Sequence, residues 1–282
     1  MNNLIVRALS GAVYVALIIG AIIGGYGWFA ALTTIFALLA ILEFEKIVNQ
    51  PTGDAKSSQI SWARKAALFA DLICGIALVN IASITALPSF LIYIIIAAVA
   101  LYLPIRFTLA LYDKSSDAFA ATGRSVLGIA YIALPLALLN SVYADRFESA
   151  SLILAMFIMI WLNDTGAFCV GSLCGKRRLF ERLSPKKSWE GFLGGLACCL
   201  IAGAVCHYII PGVVFTLPGW IGYGALVCVM STWGDLFESL MKRSHNIKDS
   251  GNLIPGHGGI LDRIDSLLFV SFATFIFYNF FY

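Results

Sequence analysis

Long uninterrupted apolar runs leave this chain few folds to choose from. Hydrophobic blocks recur near 8–25, 28–48, 66–86, 88–112, 124–144, 150–170, 189–210, 218–240 and 263–282. Each is about the 20 residues that a helix needs to cross roughly 30 Å of hydrocarbon. Of the 282 residues, 60% are hydrophobic and 12% charged, far below the roughly 25% charged residues of soluble domains. The expected fold is all-α: a polytopic integral membrane helical bundle of about nine transmembrane helices.

The cations set the orientation. With Arg7 in the cytoplasm, about nine spans put Lys56, Arg64, Lys65, Lys114, Arg124, the 176–187 run and the 242–263 run on the inside. The loops near 25–27, 87 and 211–218 carry no Lys or Arg, and Arg146 is the one clear outside cation. The N-terminus is therefore expected in the cytoplasm. The first span is too long for a signal peptide and lacks a clear cleavage site, so it reads as retained. Basic loops beside the bilayer also favour anionic lipid headgroups, at about 1 kcal/mol per cation.

Seven cysteines, at 74, 169, 174, 198, 199, 206 and 228, lie in or near spans without paired metal-ligand spacing. They read as small apolar fillers. Residues 1–282 form one membrane domain, with scaffold helices in 1–148 and the chemistry in 149–282. Asp71 and Asn80 lie inside the third span, where Asp71 reads either as lining a polar path or as an interfacial carboxylate. Glu43, Glu45 and Lys46 read as a solvated helix end, and His207 as a packed histidine.

Charge is expensive in a membrane, so the stretch from Ser239 to Asp265 stands out. Asp235, Ser239 and Lys242 recur at i, i+4 and i+7 and share one helix face. Glu238 is placed to brace Lys242. The next span opens with Asp262, Arg263, Asp265 and Ser266, which brings Asp235 and Asp262 together if the loop between folds back. Mg²⁺ takes few protein ligands plus phosphate oxygens, and it would relieve the repulsion between such carboxylates. Helix capping by Asp262 is the plainer explanation for that one residue. Gly256-His257-Gly258-Gly259 offers a turn whose N–H groups suit oxyanions. A second constellation runs from Asn163-Asp164-Thr165-Gly166 through Lys176-Arg177-Arg178 to Ser184-Pro185-Lys186-Lys187-Ser188-Trp189-Glu190-Gly191. Lys176, Arg177 and Arg178 read first as membrane anchors, Lys186 and Lys187 as phosphate contacts.

The pattern Ser-x-apolar-Lys-Arg, four residues, Lys-Asp, then Pro-x-His-Gly-Gly-x-x-Asp-Arg-x-Asp over 239–265 resembles the signature of the phosphatidate cytidylyltransferase (CDP-diacylglycerol synthase) family. Asp164-Thr-Gly-Ala-Phe and Ser184-Pro-Lys-Lys-Ser-Trp-Glu-Gly resemble the family's other motifs. Ser188 stands where relatives often have threonine, which keeps the hydroxyl. The motifs cover roughly a quarter of the chain, all in its C-terminal half.

The resemblance implies that CTP and phosphatidate give CDP-diacylglycerol and pyrophosphate for phospholipid synthesis, with one or two Mg²⁺ ions, in a bacterial cytoplasmic (inner) membrane with the site facing the cytoplasm. It implies metal ligation by Asp235, Asp262 and Asp265. Lys242, Arg243, Lys248 and Arg263 would hold phosphates, and Ser239 a phosphate or metal-bound water. His257, Gly258, Gly259, Lys186 and Lys187 would contact phosphate, while Asp164, Glu190 and Asp249 would orient. Besides both substrates and membrane lipids, no nucleic acid is expected as a partner, and a homodimer is compatible with the chain. The chemistry needs positioning and charge neutralisation rather than a covalent nucleophile. Competing readings are a related enzyme acting on another lipid phosphate, a polyprenol kinase, a transporter, or a lipid-binding scaffold. A transporter would put charges near mid-membrane rather than at one interface.

Overall fold

The computed structural model describes residues 3–49, 62–82, 88–145, 149–210, 215–254, 256 and 258–281. Ten α-helices follow in chain order: α1 (Asn3–Ile23), α2 (Tyr26–Val48), α3 (Trp62–Val79), α4 (Ser89–Tyr112), α5 (Ala118–Gly128), α6 (Leu134–Asp145), α7 (Ser149–Cys174), α8 (Trp189–Ile209), α9 (Leu217–Ser244) and α10 (Leu261–Phe281). A π-helical turn at Ile129–Ala133 joins α5 to α6, so the described helices form nine continuous bodies, in line with the nine apolar blocks. Pro135 accounts for the π turn: it has no N–H to offer the Tyr131 carbonyl, and its ring pushes that carbonyl outward.

Seven described bodies are long and apolar enough to cross a membrane: α1, α2, α4, α5 with α6, α7, α8 and α10. The protein is thus an all-α, polytopic membrane protein. Two bodies fall short by composition. α3 carries Arg64, Lys65 and Asp71 within 18 residues, and α9 is diluted by glycines and ends in charged turns.

The most extensive packing runs through α7–α8, α8–α9 and α9–α10, with α10 reaching back to α6. Trp220, Tyr223, Met156, Met159 and Leu136 are all fully buried there. In the outer layer, α3 packs on α4 and α2. There Asp71 settles between its two readings. It is buried and paired with Arg106 Nε at 2.9 Å, and Tyr102 Oη donates to it at 2.8 Å. It therefore fastens α3 to α4 and lines no polar path. His207 packs as expected, its Nδ1 3.3 Å from the Phe215 carbonyl. The cysteines are free.

Between α7 and α8 the chain forms an antiparallel hairpin of β1 (Arg178–Phe180) and β2 (Ser184–Ser188), paired Arg178 to Ser188 and Phe180 to Ser184. Ser188 then caps α8 by accepting from Gly191 N at 3.1 Å. The polar ends gather at one end of the bundle. Arg124 donates to Asn49 and Asp117, and Arg64 binds Asp113 and Asp117. The hydrogen bond from Arg124 holds Asp117 below the usual carboxylate range.

Candidate active site

The last turns of α9 and the first turns of α10 are brought close by Gly234, where a Cβ would fall 2.6 Å from the Asp265 carbonyl. That proximity sets the carboxylates against one another. Asp235 accepts from Ser239 Oγ at 3.3 Å, as the i, i+4 spacing predicts, and Lys187 of β2 meets its other oxygen at 2.6 Å. Asp265 lies beneath them, taking the Ser266 N–H at 2.6 Å. Asp235 and Asp164 press on Asp265 with like charge, and the Lys187 ammonium offsets them in part.

One turn further along α9, Lys242 sits between Glu238 and Asp262, 2.7 Å from Asp262 Oδ1. The bracing of Lys242 by Glu238 follows the sequence expectation. Asp262 Oδ2 accepts from Ser250 N at 2.9 Å and Gly259 N at 2.8 Å. Both of its oxygens are thus engaged, Oδ1 by Lys242 and Oδ2 by the two backbone N–H groups. The turn expected to lend N–H groups to an oxyanion spends the Gly259 donor on Asp262. Gly258 adopts a φ of 84°, which favours glycine, and its carbonyl accepts from Ile254 N at 2.9 Å. His257 and Pro255 lie outside the described residues.

Three hollows meet at these side chains. One of about 270 Å³ is lined by Asn163, Asp164, Lys186, Lys187, Thr232 and Asp235. A second, of about 280 Å³, is lined by Tyr14, Asp164, Asp262, Arg263 and Asp265. A third, of about 420 Å³, is lined by Arg7, Lys248, Asp249, Gly258 and Arg263. Asp164 is common to the first two and Arg263 to the second and third. Carboxylates therefore stand at the centre, with Lys186 and Lys187 on one side and Arg263, Lys248 and Arg7 on the other.

Ser239, Lys242, Arg243, Gly259 and Glu190 are not among the linings of these three hollows. Arg243 folds back to donate to the Ile247 carbonyl at 3.0 Å. Glu190 accepts from the backbone of Lys176 at 3.0 Å and of Arg177 at 3.1 Å, so it fixes the root of the hairpin rather than a cationic head group.

Other site residues escape a reading along the chain. Tyr14 Oη donates to the Arg263 carbonyl at 2.9 Å, and Arg7 lies against Gly256. Glu43 corrects the expectation of a solvated end: it is 8% exposed and accepts from Ile260 N, Leu261 N and Ser250 Oγ. The only local signal was a carboxylate pair, Glu43 and Glu45, at the end of an apolar block.

Among the described residues no group of three His, Cys, Asp or Glu is gathered closely enough to hold a metal. A cation drawing all its ligands from the protein does not fit. Mg²⁺ fits the donor set, because it keeps waters, takes one or two carboxylates and completes its shell with phosphate oxygens.

A model of the cytidylyltransferase family matches residues 5–281. The phosphatidate cytidylyltransferase of Staphylococcus aureus (strain COL) is 38% identical over 160 residues, covering 56% of this chain and 59% of that protein. The one from Staphylococcus saprophyticus is 39% identical over the same shares. That of Haemophilus influenzae is 40% identical over 141 residues, 49% of this chain and 48% of its own. The chain spans about half the length of the curated relatives it matches. With the family match running from α1 to the end of α10, the chain belongs to the cytidylyltransferase family.

Proposed function

We propose that the protein transfers the cytidylyl group of CTP to phosphatidate, releasing pyrophosphate and CDP-diacylglycerol. The observation that carries this reading is the central carboxylate group, Asp164, Asp235 and Asp265, flanked by cations from β2 on one side and from α10 and its preceding loop on the other. Phosphatidate and CTP both bring phosphates, and two cationic walls can hold one phosphate group each. The names of the matched relatives support the same substrates.

In this reading an oxygen of the lipid phosphate attacks the α-phosphorus of CTP. A new P–O bond forms as the bond to the β-phosphate oxygen breaks, and pyrophosphate leaves in line. The residues supply alignment and charge rather than a covalent nucleophile. Lys186 and Lys187 hold phosphate at the hairpin wall, and Arg263 and Lys248 hold it at the opposite wall. Lys242 neutralises Glu238 and Asp262 and so keeps the loop closed over α9. Asp235 and Asp265 would hold Mg²⁺, with Asp262, which is paired to Lys242, as a further candidate ligand. When bound, the ion neutralises charge building on the phosphate oxygens.

The acyl chains of the lipid stay in the leaflet, so the site belongs where helices meet water. CTP reaches it directly from the cytoplasm of a bacterium, at the inner face of its cytoplasmic membrane, if the cationic loops face inward as their distribution favours. The test is pyrophosphate release by the purified protein in detergent. It is expected only with CTP, phosphatidate and Mg²⁺ together, and Asp235→Asn is expected to lower it by at least about tenfold. Release without lipid, or near wild-type activity in Asp235→Asn, would contradict the reading.

A further inference from the structure

Glu43 lies on α2, about 200 residues before the signature stretch, and none of the motifs includes it. Its carboxylate nevertheless grips that stretch on both sides of the glycine turn. Oε2 accepts from Ser250 Oγ at 3.1 Å on the incoming leg. On the outgoing leg Oε1 accepts from Ile260 N at 3.0 Å and Oε2 from Leu261 N at 2.9 Å. The last two donors are orphan N–H groups at the start of α10, where a carboxylate also meets the positive end of the helix dipole. Asp262 binds the same two legs from the other side, through Ser250 N and Gly259 N. The loop is thus stitched twice, once to its own helix and once to the scaffold half.

The stitch sits between functional groups. Two residues before Ser250 is Lys248, and two residues after Leu261 is Arg263, and both line the 420 Å³ hollow. Gly251 and Gly259 leave no room beside Glu43 for a side chain: a Cβ on Gly251 would come 2.7 Å from Oε1, and one on Gly259 would overlap Oε2. The chain is packed onto this carboxylate rather than merely near it.

We propose that Glu43 is a positioning residue of the active site, an anchor on α2 that fixes the spacing of Lys248 and Arg263 and so the seat of a nucleotide polyphosphate. This rests on the functional reading above. The side chain acts through the loop and touches no substrate.

The test combines hydrogen exchange with kinetics on the full-length protein in detergent. In Glu43→Gln the amide group turns an N–H₂ toward donors that need an acceptor. Exchange of the amides in 250–261 should quicken while that of α7 and α8 stays as in wild type, and the KM for CTP should rise about fivefold or more. Glu43→Asp, which keeps the charge, should recover part of the KM. A smaller folded fraction would lower kcat alone, so the KM separates positioning from mere stability. Should Glu43→Gln fail to fold, Ser250→Ala removes one stitch and should shift both readouts in the same direction by less. Unchanged exchange at Ile260 and Leu261 overturns the proposal, as does quickened exchange with an unchanged KM. A wild-type protein that turns over no CTP removes the functional reading and this role with it, whereas an active wild type with an indifferent Glu43→Gln removes the role alone.

Discussion

Lys187 and Lys242 each meet Asp235 or Asp262 within 2.7 Å, yet burial gives the two lysines different work. The Lys187–Asp235 pair has side chains 26% and 37% exposed, and pairs in such surroundings add only about 0–1 kcal/mol to stability. Lys187→Ala should therefore leave the melting temperature in detergent nearly unchanged while lowering turnover by about a hundredfold, as expected for a lost phosphate contact. Lys242 is 11% exposed, between Glu238 at 1% and Asp262 at 7%. Removing it strands buried carboxylates, at a cost of about 3–5 kcal/mol. Lys242→Ala should accordingly lose both activity and several degrees of melting temperature, and thermal scans beside turnover assays would separate the two lysines. The i, i+4 spacing of Asp235 with Ser239 and of Glu238 with Lys242 was legible because one helix fixes it. Glu43 was not, since helix periodicity cannot say which of Glu43 and Glu45 meets a loop that returns more than 200 residues later.

Helices were the easiest elements to read, because hydrocarbon-length apolar runs leave little else. The α8 helix at Trp189–Ile209 and α4 at Ser89–Tyr112 lie within a residue of the blocks expected at 189–210 and 88–112. The hairpin was missed, and the reason is physical. Ser184-Pro185-Lys186-Lys187-Ser188 has no apolar alternation and little strand preference. Its pairing is imposed by the ends of α7 and α8 and by Glu190 holding the Lys176 and Arg177 N–H groups. The Asp71–Arg106 pair shows the same limit, since partners 35 positions apart sit on separate helices. Arg106→Ala would leave Asp71 buried and uncompensated, a loss of about 3–5 kcal/mol. Replacing both by apolar residues, Asp71→Leu with Arg106→Met, should restore most of it, because a well-packed apolar pair avoids the desolvation cost. Melting temperatures of the single and double variants would check this, and a double variant no better than the single one would count against the pair as the cause.

Among the described residues, the groups of the candidate site gather at one end of an apolar bundle. The start of α1, the end of α2, the hairpin, the end of α9 and the start of α10 all contribute to it. That segregation was legible from the distribution of Lys and Arg along the chain. The joining of the two halves was not, because Arg7, Tyr14 and Glu43 enter the site only through tertiary packing. The scaffold half thus lends Arg7, Tyr14 and Glu43 to the walls and loop of the candidate site.

If this end of the bundle moves a nucleotidyl group onto a lipid phosphate, the fate of a labelled phosphorus reports it. CTP labelled at the α-phosphorus, incubated with the purified protein, phosphatidate and Mg²⁺, should send its label into the organic phase as CDP-diacylglycerol, while a γ-label should remain in water as pyrophosphate. A γ-label recovered in lipid would make the protein a lipid kinase. Label left entirely in CTP would mean that the protein transfers no cytidylyl group to phosphatidate.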